Sequence, residues 1–499
     1  MKLIYDIGDK PRTRETIVFA FQQMIAIMAA TLLVPILMST YTMTDGTTLT
    51  FDPAAALFGA GIGSLVYIFF TKRRSPVFLG SSFTFLGAYQ AVIGMNYGYW
   101  GVIIGVIMAG LVYVVIALII KVSGSAWVNK LMPAVIIGPI ITLIGLSLSG
   151  TATSWMATNG GGNYSLITIA VGVVTFLAIV LVSVKGSKTL KLIPFIVGIG
   201  AGYVLALILT LIGSAANIPS LQILSFDAFK NVFEPFRFTS ILDYPKFTFL
   251  KAIQTNGLYP LDGAAIGNIA TTFIPIAVVE LAQHIADHKN LGAIVNRDLI
   301  TDPGLDRTLL GDGIGSAVGA IFGGAANTTY GESIGCVAIT GNASVISIAT
   351  AGLGCMLLSF LTPFVALINS IPKCVMGGAC VALYGFIAVS GLNQLAKVDL
   401  NENKNLYVVS AILVCGIGGL ALNFGKNVIT GGPLISLTAL ATALIMGLIT
   451  KALVKEKGDA DVLAETTETV ESKYPDLTGP HSAANNRQAR AESVACKTG

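Results

Sequence analysis

Nine stretches of this 499-residue chain, 16–44, 54–71, 75–120, 131–184, 192–226, 333–372, 374–396, 406–425 and 427–450, contain no Asp, Glu, Lys, Arg or His. A helix that crosses a hydrocarbon core about 30 Å thick needs about 20 apolar residues, and the charges punctuate this chain at that interval or twice it. Within lipid, only structures that satisfy their own backbone hydrogen bonds persist. The runs therefore predict an all-α polytopic membrane protein. The balance of 54% hydrophobic to 11% charged residues and a mean hydropathy of +0.78 agree, because a water-exposed surface requires more charge.

Fourteen crossings are predicted, near 16–39, 53–71, 76–95, 100–121, 131–150, 164–184, 192–213, 268–286, 308–324, 327–343, 346–370, 375–394, 406–424 and 433–452. The runs 75–120 and 131–184 each hold two, with turns at Asn96-Tyr97-Gly98-Tyr99 and Asn159-Gly160-Gly161-Gly162-Asn163. Lys and Arg in short loops mark the cytoplasmic side. Lys72-Arg73-Arg74, Lys121 with Lys130, Lys185, Lys188 and Lys191, then Lys289, Arg297 and Arg307, Lys397 and Lys404, and Lys451, Lys455 and Lys457 all fall on one side, whereas 40–52 and 151–163 contain none. Lys230, Arg237, Lys246 and Lys251 fall on the other side, in a loop too long to weigh heavily. Both termini of an inner-membrane protein are then expected in the cytoplasm.

The net charge of +4 is scattered in clusters between apolar runs instead of forming a stripe for a phosphate backbone, so nucleic acid is not an expected partner. Six cysteines lack metal-ligand spacing, and all but Cys496 lie in or beside apolar segments. No metal or other cofactor is expected. The N-terminus lacks the short apolar core of a removable signal peptide.

A charge inside a span is costly, so each ionisable residue there is a functional candidate. Glu280 and His284 stand four apart in Ile276-Ala277-Val278-Val279-Glu280-Leu281-Ala282-Gln283-His284, on one face of a helix, where the imidazole can orient the carboxylate or share its proton. Asp287, His288 and Lys289 read as the solvated end of that helix. Glu332 follows Asn327-Thr328-Thr329-Tyr330-Gly331, a polar stretch that predicts extended backbone turning into a half-helix, tolerated only where it is buried or lines a cavity. Its free N–H groups are donors for carbonyl oxygens.

Met132-Pro133-Ala134-Val135 with Gly138, Gly145 and Gly150 recurs about 240 residues later as Ile371-Pro372-Lys373-Cys374-Val375 with Gly377-Gly378, Gly385 and Gly391. An offset of seven crossings reverses orientation, as an inverted repeat requires. The mate of the Glu332 segment is Phe78-Leu79-Gly80-Ser81-Ser82-Phe83-Thr84-Phe85, although Gly and Ser also serve close helix packing. Two carboxylates, opposed backbone amides and the rings of Phe83 or Tyr330 suit a neutral planar ring that displays both N–H and C=O groups. Acid groups in such a place make proton coupling the natural expectation. An ion channel or anion exchanger would call for a cationic midplane residue instead of two glutamates, and a membrane-embedded enzyme for a zinc-ligand set or nucleophile–base pair, which the spans lack.

Asn327-Thr328-Thr329-Tyr330-Gly331-Glu332-Ser333-Ile334-Gly335, Glu280 with His284, Gly80-Ser81-Ser82-Phe83 and Asp298-Leu299-Ile300-Thr301-Asp302-Pro303-Gly304-Leu305 together resemble the nucleobase–ascorbate transporter (nucleobase:cation symporter-2) family, in its bacterial uracil permease branch, from about Thr16 to about Thr450. The resemblance implies a 7+7 inverted repeat with short antiparallel strands in crossings 3 and 10. Its division would be a cytoplasmic N-terminus (1–15), a core domain (16–121 and 268–370), a gate domain (122–213 and 371–454), an extracytoplasmic loop (214–267) and a disordered cytoplasmic tail (455–499). It implies proton-coupled uracil import by alternating access, with xanthine, uric acid or another nucleobase as the alternative substrate. Glu280 and Glu332 would bind the base, with the backbone amides of Phe83 and Gly331 on its carbonyls. His284 would support Glu280 and the proton path, which with Glu332 makes three coupling residues. Ala30, Tyr330 and Tyr384 would line the cavity, and a homodimer through the gate domain is implied as well. Gln22-Gln23 stands where relatives commonly carry Gln-His, so that histidine's role has no bearer here.

Overall fold

A computed structural model describes residues 3–43, 45–125, 127–128, 132–159, 162–187, 190–255, 258, 261–425 and 435–454. Contacts separate a large unit, Met1–Leu448, from a short one, Ile449–Gly499. In the short unit the described part is a helix end, and the predicted tail 455–499 lies outside the described residues.

Most of the long helices follow the uncharged runs, whereas those over Gly263–Val295 and Leu305–Gly323 carry charged residues. In the first half, α1 (Thr13–Met38) and α2 (Pro53–Phe70) precede strand β1 (Leu79–Ser81), α3 (Leu86–Gly94) and α4 (Gly98–Ser123). They are followed by α5 (Ala134–Ser147), α6 (Ser149–Ala157), α7 (Leu166–Lys185) and α8 (Pro194–Ala215). Two short helices, α9 (Asp227–Phe233) and α10 (Thr248–Gln254), lead to α11 (Gly263–Val295), α12 (Leu305–Gly323), strand β2 (Asn327–Thr329), α13 (Gly331–Thr340) and α14 (Val345–Leu358). The rest comprises α15 (Thr362–Asn369), α16 (Lys373–Leu395), α17 (Asn403–Ile417), strands β3 (Leu422–Phe424) and β4 (Ile435–Leu437), and α18 (Ala439–Leu453). Among the described residues, eight helices are long and apolar enough to cross a membrane, α5 and α6 counting together. This makes the chain a multi-pass, mostly helical membrane protein.

Local chemistry sets many of the ends. Asp52 caps α2 by accepting from Ala54 N at 3.0 Å, with Pro53 in the first turn, and Asp262 caps α11 by accepting from Ala265 N at 2.7 Å. The repeated Pro133 and Pro372 are the N-caps of α5 and α16, and these two helices pack on each other. Small residues bring backbones together as lipid-embedded packing demands. A side chain built on Gly63 of α2 would stand 2.8 Å from Gly315 O of α12, and one on Gly315 would stand 2.8 Å from Gly63 O.

Three features depart from the sequence reading. First, α6 keeps 149–157 helical where an outer loop is expected at 151–163, because Ala152 and Trp155 are buried and the helix lies against α16. Second, the described part of the long loop 214–267, to which the sequence reading assigns no element, carries the short helices α9 and α10. Its α9 contacts α15, Thr362 N donates to Ile241 O at 3.0 Å, and Phe247 packs edge-on against Phe58 (5.0 Å) and Phe322 (5.3 Å). Third, α11 has 33 residues and so runs about 50 Å, beyond the predicted end at 286. Asp287 and His288, read as a solvated helix end, are buried, and only Lys289 is exposed. The cause is tertiary, since the chain folds α2, α12 and β2 around that end.

Candidate functional site

Both polar interruptions break their helices. β1 and β2 pair antiparallel, with Leu79 opposite Thr329, Gly80 opposite Thr328 and Ser81 opposite Asn327, and Ser82 N donates to Ala326 O at 2.8 Å. These strands occupy predicted crossings 3 and 10, and the half-helices α3 and α13 follow them. Backbone that leaves a helix at this depth needs partners inside the protein. The pairing supplies them, together with Ser64, whose Oγ accepts from Leu79 N at 2.8 Å, and Tyr89, whose hydroxyl accepts from Ala326 N at 2.6 Å. Tyr330 crosses over Gly80, where any side chain would overlap its ring, and donates its hydroxyl to Ser81 O at 2.7 Å.

A cavity of about 440 Å³ opens beside this crossing. Ser82, Phe83 and Thr84 border it from the first broken segment, and Thr328, Tyr330, Gly331 and Glu332 from the second. Gln283 and Asp287 border it from α11, and Lys191 from the segment just before α8. Five of the eight sequence-predicted site residues meet here. Phe83, Gly331, Tyr330 and Glu332 line the hollow directly, and Glu332 and Gly331 belong to the first turn of α13, where N–H groups are free of intrahelical partners. Glu280, 2% exposed, stands just behind two of the lining residues: Thr328 Oγ1 donates to its Oε1 at 2.5 Å and Ser82 Oγ to its Oε2 at 3.2 Å.

The remaining three lie further out. Tyr384 is buried and reaches the cavity through Phe83, its ring edge-on at 5.6 Å. Ala30 is buried in α1, and Ala26, one turn earlier, is the residue of that helix on the cavity wall. His284, fully buried, points its ring away from Glu280: Nδ1 lies 2.6 Å from Asp312 Oδ2, and Nε2 lies 3.0 Å from Thr308 Oγ1, both on α12. Next to it His288 stacks with ring centroids 4.1 Å apart. Because His288 Nδ1–H donates to His284 O at 2.8 Å, its Nε2 is left to accept from the Tyr67 hydroxyl at 2.7 Å. Gln23, at the departure from the family pattern, donates to Ser333 Oγ at 2.5 Å and so ties α1 to the turn that carries Glu332.

Sequence reasoning missed Asp312, Asp287 and the hydroxyls that hold Glu280. Asp312 falls inside a predicted span, so the same rule that selected Glu280 selects it. Asp287 lies seven positions after Glu280, the spacing that returns to the same helix face. Nothing comparable marks Ser82 or Thr328, since a hydroxyl is common in any span.

The model of the permease family matches residues 14–424. A uracil permease of Bacillus caldolyticus is 38% identical over 90% of this chain and 94% of its own length. Uracil permeases of Bacillus subtilis (strain 168) and Escherichia coli (strain K12) are 33% and 30% identical, with 92% and 91% of this chain and 98% of each relative aligned. Among solved structures, the transmembrane domain of the cyanobacterial bicarbonate transporter BicA aligns with a TM-score of 0.55 at 14% identity, over 90% of this chain and all of that one. The murine anion transporter Slc26a9, in its inward-facing state, aligns with a TM-score of 0.58 at 10% identity, over 90% of this chain and 69% of that one. At such low identity the likeness is one of fold, and the chain shares its architecture with these transporters.

Proposed function

Because the chain belongs to the permease family, we propose that it imports uracil across the cytoplasmic membrane together with a proton, by alternating access. The observation that carries this reading is the meeting of two broken spans beside a cavity whose wall holds Glu332 and, one hydroxyl deep, Glu280. Carboxylate oxygens accept from the ring N–H groups, and the amides of Phe83 and Gly331 donate to its carbonyls. Phe83 and Tyr330 pack on the ring, with Ala30 and Tyr384 behind the first layer. Glu280 and Glu332 are the groups that bind and release the proton, with His284 acting through the Asp312 pair that anchors α11 to α12.

In this reading the chain makes fourteen crossings with both termini in the cytoplasm. The spans 16–121 and 268–370 form a core that carries the site, 122–213 and 371–454 form a gate, and 214–267 is an extracytoplasmic loop. A homodimer through the gate belongs to the same reading. Xanthine or uric acid is the second candidate substrate, as a planar ring that displays the same N–H and C=O groups. An anion carrier on this fold would want a cation at the strand crossing, and the charged groups there are acids.

The test is uptake of radiolabelled uracil into proteoliposomes, with and without an imposed pH gradient, against xanthine competition. Glu332→Ala is expected to abolish uracil binding by the purified protein, and wild-type binding by that variant would refute the assignment.

A further inference from the structure

The cavity has two ends of different chemistry. Phe83, Gly331 and Glu332 stand at the strand crossing, whereas Ile339 of α13, Ser183 in the last turn of α7, Phe195 in the first turn of α8 and Phe386 of α16 line the rest. Seven residues of α13 separate Glu332 from Ile339, a rise of about 10 Å. A six-membered ring is shorter than that, so one base at the crossing leaves the far end open. On α11 the direction is the same: Arg297, after this helix, pairs with Asp6, and Asn342, after α13, bridges to Tyr5, so the two helices end side by side.

The far end suits a polar ring. Phe195 and Phe386 pack together with ring centroids 6.3 Å apart and give it an apolar wall. The Ser183 Oγ is buried without a hydrogen-bond partner among the described residues, a state that calls for a ligand or water. Gln283, one turn along α11 from Glu280, borders the cavity. The polar side chains near it are engaged: His284 with Asp312 and Thr308, Asp287 with Thr329, and His288 with Tyr67. The Gln283 amide alone of these four has no partner among the described residues. An amide presents a donor beside an acceptor, which matches a ring edge where N–H stands beside C=O.

We propose that this far end is a second binding position for a neutral planar base, an exit subsite between the strand crossing and the cytoplasm. The inference rests on the uracil reading above. There, two carboxylates and two backbone amides already answer the N–H and C=O groups of one ring, so Gln283 is left for another position. In the exit subsite Gln283 pairs with an N–H/C=O edge, the Ser183 hydroxyl meets a further polar atom, and the Phe195–Phe386 wall covers the apolar side. The turn between α7 and α8 carries Lys185 and Lys191, and the basic-residue count assigns it to the cytoplasm. Hydrogen bonds between neutral groups are about half as strong as charge-assisted ones, so a base is held here more weakly than at the glutamates.

The test is equilibrium binding of labelled uracil to the purified full chain over a wide concentration range. Wild type is expected to bind one equivalent tightly and a second with a Kd at least tenfold higher. The loss of binding expected of Glu332→Ala is the loss of the tight phase. Gln283→Leu and Phe386→Ala are expected to raise the Kd of the weak phase fivefold or more and to leave the tight Kd within twofold. Ser183→Ala decides the matter, with the same pattern, if either variant fails to assemble. An excess of 1,3-dimethyluracil, which keeps the ring and carbonyls but has no N–H, is expected to leave the weak phase in place. A single phase in wild type, a weak phase that these variants do not alter, or its displacement by the dimethyl compound overturns the proposal. A wild-type protein that binds uracil in neither phase overturns the uracil reading, and the proposal with it.

Discussion

Thr328 is the residue whose removal tests most directly how the site holds its acid. Its hydroxyl donates to Glu280 Oε1 at 2.5 Å, whereas the Ser82 donor to Oε2 stands at 3.2 Å, so Thr328→Val deletes the closer of these two, leaves Ser82 and Thr84 as side-chain donors and keeps the side-chain shape. A hydrogen bond is worth about 0.5–1.5 kcal/mol when both partners are neutral and about 1.5–3 kcal/mol when one is charged. Glu280 can lean toward Ser82 after the loss, so the expected cost falls where the two ranges meet, near 1.5 kcal/mol. That is about a tenfold rise in Kd for uracil. Equilibrium binding of the labelled base to purified protein measures it, with Thr328→Ser as the variant that restores the hydroxyl. Binding by Thr328→Val within twofold of wild type, or an equal loss in Thr328→Ser, would show that the hydroxyl does not preorganise Glu280.

Two further outcomes follow from the packing around the site. His284→Ala strips Asp312 of its 2.6 Å partner and leaves a buried acid whose Oδ1 already lacks one among the described residues. Leaving a buried polar group without its partner costs about 1–3 kcal/mol, so the melting temperature in detergent should fall and uptake should suffer more than affinity. An unchanged melting curve would deny the pair its anchoring role. Gly63→Val places carbon 2.8 Å from Gly315 O and 2.6 Å from the Asn327 amide nitrogen, at the root of β2. Overpacking of this kind costs about 1–3 kcal/mol, and both melting temperature and uptake should drop; full activity would mean that α2 and α12 separate without disturbing the strand.

The parts of the fold that lipid dictates were readable from residue types alone. Uncharged runs located most of the long helices, though not α11 and α12, and Gly80-Ser81-Ser82 and Asn327-Thr328-Thr329 marked where helices break, because a polar, small-residue stretch at membrane depth has few other uses. Partners were not readable in the same way. The spacing of four that put His284 on the Glu280 face was correct as helix geometry, yet the imidazole turns to Asp312, and the hydroxyls of Ser82 and Thr328 reach the glutamate first. Asp287-His288-Lys289 looked like an aqueous helix end because three consecutive polar residues usually are one. What buries the first two is Thr329, 42 positions away, and Tyr67, 221 positions away, and no local window holds them. A membrane sequence therefore states where its polar residues are confined, since the bilayer penalises each one separately. Which of them share a proton or a substrate is decided by the neighbours that folding supplies, and here those neighbours move the second acid of α11 from the solvent to the cavity wall.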